Sequence, residues 1–366
     1  MMNYTTYAEQ SLIDLVPSLP PPPADGAQLV AGNRTGALPA KLLARFPTAP
    51  LAVHAFDAYH ARTISSYLSE AGFDPSSMVM CAPSVVAPSG IPYSRAFFHA
   101  TPRSMPAELV LDQLEDIHRS LSDGSSLYAA FEGDADDALR TVKKVFQSVH
   151  VESRGKKSAV FRCTRKAPLP KYRDFSAEWT ASVPGGAPIT FTSLPGCFCH
   201  RRADTGGLAL AEVAARLAAS SPPSRILDMG CGCGLVGLLV ADAVRRATGS
   251  APQLTLIDSH ARAIEAARLN VNRLGFSDST RFVLSDDGLP RSEVATHDFF
   301  VGNPPYYSEY RIAEIFLSTA YRALRRGGVC LTVVKTATGL KALQEKYFRT
   351  AETIPRRGYA VLRSVR

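Results

Sequence analysis

The 366-residue chain repeats itself. Its first half runs QLVAGNRTGALPAKLL, then PLAVHAFDAYHARTISSYLSEAGF, then SRAFFHATPRSMPAELVLDQLEDIHRSLSDGSSLYAAFEG. Its second half runs RILDMGCGCGLVGLLV, then QLTLIDSHARAIEAARLNVNRLGF, then HDFFVGNPPYYSEYRIAEIFLSTAYRALRRGGVCLTVVK. The middle pair share an apolar run, an aspartate (Asp57 with Asp258), a His-Ala-Arg triplet and a closing Gly-Phe (Gly72-Phe73 with Gly275-Phe276). A repeat of this length points to a duplicated domain rather than a solenoid of short units.

Each half alternates short apolar runs with longer stretches of helical period. Ile226–Leu227, Leu254–Ile257, Phe282–Leu284, Phe299–Val301 and Val329–Val334 read as strands, while residues 235–247 and 261–274 carry apolar positions three and four apart. That alternation predicts an α/β fold, a parallel sheet covered by helices on both faces. Ligands in such sheets sit at the carboxyl ends of the strands, so functional residues belong just after each apolar run.

With 46% hydrophobic residues the chain can build two cores. Its longest apolar run, Leu235 to Ala241, stops at Asp242, far short of the roughly 20 residues of a membrane span. Glu9 and Asp14 near the start do not suit a signal peptide. Seven cysteines are an odd and sparse set for a disulfide scaffold. These features place the chain in the cytoplasm with reduced thiols and no membrane partner. Charge is uneven: residues 1–150 hold 10 Lys/Arg against 15 Asp/Glu, a net of −5, whereas residues 151–366 hold 31 against 18, a net of +13. The second half is thus the one suited to a polyanion, with a solvated basic surface as the plainer alternative. Between the halves, Arg154, Lys156, Lys157, Arg162, Arg165, Lys166, Lys171 and Arg173 form a basic stretch suited to phosphates; within it Ala159–Cys163 is expected as the last strand of the first domain.

The strongest local motif is Asp228-Met229-Gly230-Cys231-Gly232-Cys233-Gly234, set between a strand and an apolar helix. Its glycines allow a tight turn and close approach to a ligand. Gly232-x-Gly234-x-x-Gly237 also fits the dinucleotide fingerprint. However, Asp228 ahead of the glycines would repel a pyrophosphate and instead suits a sulfonium and an amino group, which favours S-adenosylmethionine. Asp258 then faces the ribose hydroxyls and Asp286 the adenine amino group, with Asp287 as its neighbouring alternative.

The second motif is Asn303-Pro304-Pro305-Tyr306, after the fourth strand. A base amino group is a poor nucleophile because its lone pair is delocalised, and acceptors on its two N–H bonds help it pyramidalise. The Asn303 side-chain oxygen and the Pro304 carbonyl supply them. The two prolines stiffen the turn, and Tyr306 offers a face for a planar group. Catalysis becomes positioning and dipole orientation.

With these residues the sequence resembles the class I methyltransferases that modify amino nitrogens. More narrowly, it is similar to the bacterial ribosomal RNA guanine-N2 methyltransferases built from two tandem halves. The likeness runs over most of residues 25–366, through KSAVFRCTRK, FTSLPGCFCHRRADTGGLALAE, the DMGCGCG loop and NPPY. It implies two Rossmann-like methyltransferase domains, the N-terminal one a degenerate copy without cofactor. The expected division is an extension at 1–24, the degenerate domain at 25–170, a linker and cofactor-covering segment at 171–200, and the catalytic domain at 201–366. The first copy has Gly32-Asn33-Arg34-Thr35-Gly36 at its loop and Ala100-Thr101-Pro102-Arg103 at the NPPY position.

The resemblance implies Asn303, Pro304 and Tyr306 as catalytic. It gives Asp228, Gly230, Cys231, Gly232, Asp258, Asp286 and Asn303 to the cofactor, and Pro305, Tyr306 and Tyr307 to the substrate. Phe198, Asp204 and Gly206 fall on the covering segment's motif. Tyr307-Ser308-Glu309-Tyr310 departs from the family's usual His and Gly at that loop. Guanine N2 of ribosomal RNA is the expected target; a protein glutamine, DNA adenine N6, or non-catalytic RNA binding are the alternatives. Cys197-x-Cys199-His200 lacks a second cluster with zinc spacing, so no metal is expected.

Overall fold

Strands appear where the apolar runs stand, and they appear twice in the same arrangement. The computed structural model describes every residue except 1–4, 24–25, 33, 86–89, 91, 102–104 and 306–309. The expected positions Tyr306, Tyr307, Asn33, Pro102 and Arg103 therefore lie outside the described residues. The chain divides into two units, Met1–Phe175 and Ser176–Arg366.

In the first unit the strands are β1 (Gln28–Ala31), β2 (Leu51–Ala55), β3 (Val79–Cys81), β4 (Tyr93–Ala100), β5 (Leu121–Glu132), β6 (Ser148–Arg154) and β7 (Ser158–Thr164). Its helices are α1 (Tyr7–Leu15), α2 (Ala37–Arg45), α3 (Ala58–Glu70), α4 (Ala107–Ser120) and α5 (Ala135–Val142). The second unit opens with a hairpin, β8 (Ala177–Ala181) and β9 (Ile189–Ser193), that falls inside the segment expected as linker and cover. Its sheet is β10 (Arg225–Met229), β11 (Gln253–Asp258), β12 (Thr280–Leu284), β13 (His297–Gly302), β14 (Leu324–Val334), β15 (Glu352–Arg356) and β16 (Tyr359–Val365). The helices are α6 (Thr205–Ser220), α7 (Leu235–Thr248), α8 (Ala261–Leu274), α9 (Arg311–Ala323) and α10 (Thr338–Phe348).

The strand orders are β3-β2-β1-β4-β5-β7-β6 and β12-β11-β10-β13-β14-β16-β15, one pattern used twice. Five strands of each sheet are parallel; β7 and β16 run against them, and the edge strands β6 and β15, each antiparallel to that neighbour, point the same way as the five. The α/β architecture expected from the repeat is thus present in both halves. The β15–β16 hairpin was not foreseen, and Ala159–Cys163 lies in β7, between β5 and β6.

Alternate residues of each central strand face opposite layers. Ile226, Leu254, Leu256, Phe299 and Val301 pack towards α6, α7 and α8. Leu227, Met229, Ile257 and Phe300 pack towards α9 and α10. Sandwiched by α6 as well as the sheet, α7 is buried from Leu235 to Ala241. This explains an apolar run too continuous for a surface helix.

Candidate active site

β10 ends at Met229, and the chain turns through Gly230, Gly232 and Gly234 at φ of +69°, +55° and +87°. A Cβ at Gly230 would lie 2.8 Å from the Phe316 ring, whereas one at Gly232 would meet nothing within 4 Å. Gly232 is therefore where the loop leaves its backbone open to a ligand. The loop is tied to β11 twice: Cys231 N–H donates to the Ile257 carbonyl at 2.9 Å, and Gly232 N–H donates to Asp258 Oδ2 at 2.9 Å. The Cys231 thiol is buried and its pKa lies well above the ordinary range, first because burial disfavours the thiolate and then because Asp258 and Asp228 repel it. It acts as a spacer, not a nucleophile.

Asp228 lies beneath the loop. Its side chain is 2% exposed, and its Oδ2 accepts the Gly237 N–H inside the first turn of α7 at 2.7 Å. A Cβ on residue 237 would come within 2.8 Å of that oxygen, so glycine is required there. Burial raises the Asp228 carboxyl to about 7, opposed by the Gly237 hydrogen bond and reinforced by Asp258. A cation at the loop would favour its ionised form.

Asp258 is half-buried, with Oδ1 accepting His260 N–H and Oδ2 accepting Gly232 N–H, both at 2.9 Å. A carboxylate at this strand end suits a pair of neighbouring hydroxyls. Asp286, half-buried after β12, follows the next strand end; Asp287 is exposed and accepts the Ser285 hydroxyl at 2.8 Å. Carboxylates at three successive strand ends beside an open glycine fit a ligand rich in hydroxyl, amino and cationic groups, such as S-adenosylmethionine.

β13, hydrogen-bonded beside β10, carries Asn303 and Pro304 at its carboxyl end. Asn303 is half-buried and its Nδ2 donates to Asp204 Oδ2 at 2.8 Å; Pro304 is buried and Pro305 half-buried. The segment ahead of α6 thus reaches this corner through Asp204. Phe198 is 74% exposed, and neighbouring Cys199 and Arg201 take positive φ.

Two residues of α8 hold this covering segment, and sequence reading missed both. Asn270, fully buried, donates from Nδ2 to the carbonyls of Thr192 and Cys233 at 2.8 Å each, while its Oδ1 accepts Thr192 N–H at 2.7 Å. Arg262, also buried, donates to the Pro195 carbonyl at 3.2 Å, and Cys197 Sγ donates to the Arg262 carbonyl at 3.4 Å. Only an asparagine inside an otherwise apolar helix face hinted at the first. His200 Nδ1 pairs with Ser193 Oγ at 3.0 Å; among the described residues no group of three or more His, Cys, Asp or Glu gathers as a metal site.

The first unit has the same loop and not the same groups. Matching Gly32 with Gly230 and Gly36 with Gly234, each pair at nearly equal φ, sets Val30 at the place of Asp228 and Pro39 at that of Gly237. Strand register then sets His99, not Ala100, opposite Asn303, and Ala55, not Asp57, opposite Asp258. Asp57 misses the place of Asp258 because the two His-Ala-Arg triplets are not equivalent: Asp57 and His260 are the N-caps of α3 and α8, so the triplets stand three residues apart on their helices; Ala100 misses that of Asn303 because β4 runs on to Ala100. In the basic stretch Arg154, Arg162, Arg165 and Arg173 each face a carboxylate of their own unit: Asp136, Glu152, Asp123 and Glu115.

Residues 188–363 match the model of the methyltransferase small domain. The match takes in nearly all of the second unit. Among curated relatives, a ribosomal RNA small subunit methyltransferase C from Stutzerimonas stutzeri is 31% identical over 187 residues, 49% of this chain and 52% of that protein. The chain thus spans about half the length of that relative. A ribosomal RNA large subunit methyltransferase G from Streptomyces avermitilis is 26% identical over 360 residues, 94% of this chain and 88% of that protein. Among solved structures, a 16S rRNA N2 methyltransferase from T. thermophilus, in complex with AdoMet and guanosine, superposes with a TM-score of 0.75 at 19% identity. It covers 97% of this chain and 92% of that one, a likeness of fold through both units. Within the methyltransferase small domain lie the glycine loop, Asp258 and Asn303; Asp204 sits near its start. No helix among the described residues is long and apolar enough to cross a membrane.

Proposed function

We propose that this chain transfers a methyl group from S-adenosylmethionine to an exocyclic base nitrogen in RNA, with guanine N2 of ribosomal RNA as the target. One observation carries the reading: an asparagine amide, already held by a carboxylate, stands at the carboxyl end of β13 directly beside the open glycine loop of β10. The relatives' printed names, both ribosomal RNA methyltransferases, support the substrate class. A ribosomal substrate also places the chain in the cytoplasm.

When bound, S-adenosylmethionine supplies an electrophilic methyl on a positive sulfur. Asp228 and Asp258 hold the glycine loop in shape and set negative charge beneath and beside it. Asp286 is assigned to the adenine amino group. Asn303 Oδ1 and the Pro304 carbonyl accept the two N–H bonds of the target amine, turning its lone pair out of the ring's conjugation. Tyr306 and Tyr307 are assigned to the face of the base, and Pro305 to stiffening the turn. The nitrogen gains the methyl first and loses a proton to water afterwards, so no strong base is needed. The work is orientation and dipole placement. An amine of this kind is presented by an unpaired or extruded nucleotide.

The experiment is incorporation of tritiated methyl by the intact chain, offered 16S and 23S RNA from a strain lacking this gene, DNA, and a release-factor-like protein. Label at guanine N2 of one ribosomal RNA is expected. Label confined to protein or DNA overturns the substrate, and calorimetry showing no cofactor binding overturns the activity.

A further inference from the structure

We infer that Asp204 is a positioning residue for Asn303: it fixes which way the asparagine amide faces and so decides whether the corner accepts or repels an amine. This rests on the reading of Asn303 given above. The two residues are 99 positions apart in sequence, and Asp204 Oδ2 receives both the Gly207 N–H at 2.6 Å and Asn303 Nδ2 at 2.8 Å. It is the N-cap of α6 as well.

An amide side chain is nearly symmetrical in shape and opposite in chemistry at its two ends. Facing the amine with oxygen, Asn303 accepts an N–H. Facing it with NH2, it sets donor against donor. An ionised carboxylate only accepts, so the Asn303 branch that meets Asp204 has to be the nitrogen. The carbonyl oxygen then takes the other branch of the fork. Reversal would place oxygen against carboxylate oxygen. Room for this pair is kept by glycines: a Cβ at Gly206 or Gly207 would stand 3.3 or 3.2 Å from Asp204 Oδ2. The first unit lacks the device. Its α1 is capped by Thr6, whose short hydroxyl accepts Glu9 N–H, and histidine holds the Asn303 place.

Serine caps a helix as well as aspartate does but is too short to reach Asn303. Asp204→Ser should therefore lower kcat about 100-fold, the scale of a mispositioned catalytic group, while the KM for RNA and the calorimetric cofactor affinity stay within about twofold. The Asn303 side-chain NH2 resonance, assigned in 15N-asparagine-labelled protein by its loss in Asn303→Ala, should shift in Asp204→Ser. Adding Asp204→Ser to Asn303→Ala should cost nothing further. Asp204→Asn keeps a cap and an acceptor oxygen, so it should stay within about tenfold of the parent; it also serves if the serine variant fails to fold. Full activity in Asp204→Ser, additive losses, an unmoved resonance, or an Asp204→Asn as dead as the serine variant would each overturn the inference. Full activity in Asn303→Ala would instead sink the assignment of Asn303 itself.

Discussion

The two sheets share strand order, register and even the glycine angles of the first loop, yet they differ in what stands at the strand ends. In the second unit a buried carboxylate, Asp228, meets a backbone donor at Gly237. In the first both partners are gone together: Val30 has no acceptor, and Pro39 has no N–H. Losing one alone would leave a buried polar group unpaired, whereas losing both leaves an apolar contact that is nearly neutral. The first loop is instead held from α1, where buried Glu9 accepts the Thr35 hydroxyl at 2.5 Å. The duplicated fold thus keeps its frame while a buried polar pair beneath the loop is replaced as a unit.

The largest effect should come from undoing one such pair by halves. Val30→Asp buries a carboxylate with no donor and should cost the first unit about 3–5 kcal/mol, read as a shift of its urea transition. Adding Pro39→Gly restores the donor and should return about 1–3 kcal/mol. Next, Asn303→Ala should lower single-turnover methylation about 100-fold with cofactor affinity nearly unchanged, while His99→Ala at the equivalent place stays within about twofold; equal losses would erase the distinction between the copies.

A smaller effect is pH-dependent. Burial holds Asp228 at about 7, against an ordinary 3.8. Between those values the folded second unit keeps a proton that the unfolded chain has released, so this contribution to stability is full below about pH 4 and lost as pH rises through 7. Melting of Asp228→Asn across that window should lack the slope. Val30 gives the first unit none to lose. The smallest change belongs to the basic stretch: Arg154 and Arg162 already face carboxylates, so replacing either with alanine should alter the salt slope of RNA binding by less than about one.

The sequence made the glycine loop, Asp258 and the Asn-Pro-Pro corner readable because each is local, a turn following an apolar run. The β15–β16 hairpin was hidden by Pro355 and by charges on both strands, Glu352, Arg356 and Arg363. Asp228 was found, but the motif shows a carboxylate before glycines and not the helix amide it accepts from. Asn270, Arg262 and the Asp204 contact were out of reach because their partners stand 37 to 99 positions away. The same His-Ala-Arg triplet buries Arg262 and leaves Arg62 exposed over the Tyr59 ring, because Arg262 is the second residue of α8 and Arg62 the fifth of α3.

Asn270 has one more consequence. A single amide binds the strand edge at Thr192 and the turn at Cys233 to one helix. The segment ahead of α6 and the end of the glycine loop are thus fastened by the same side chain, and cutting that amide releases both at once.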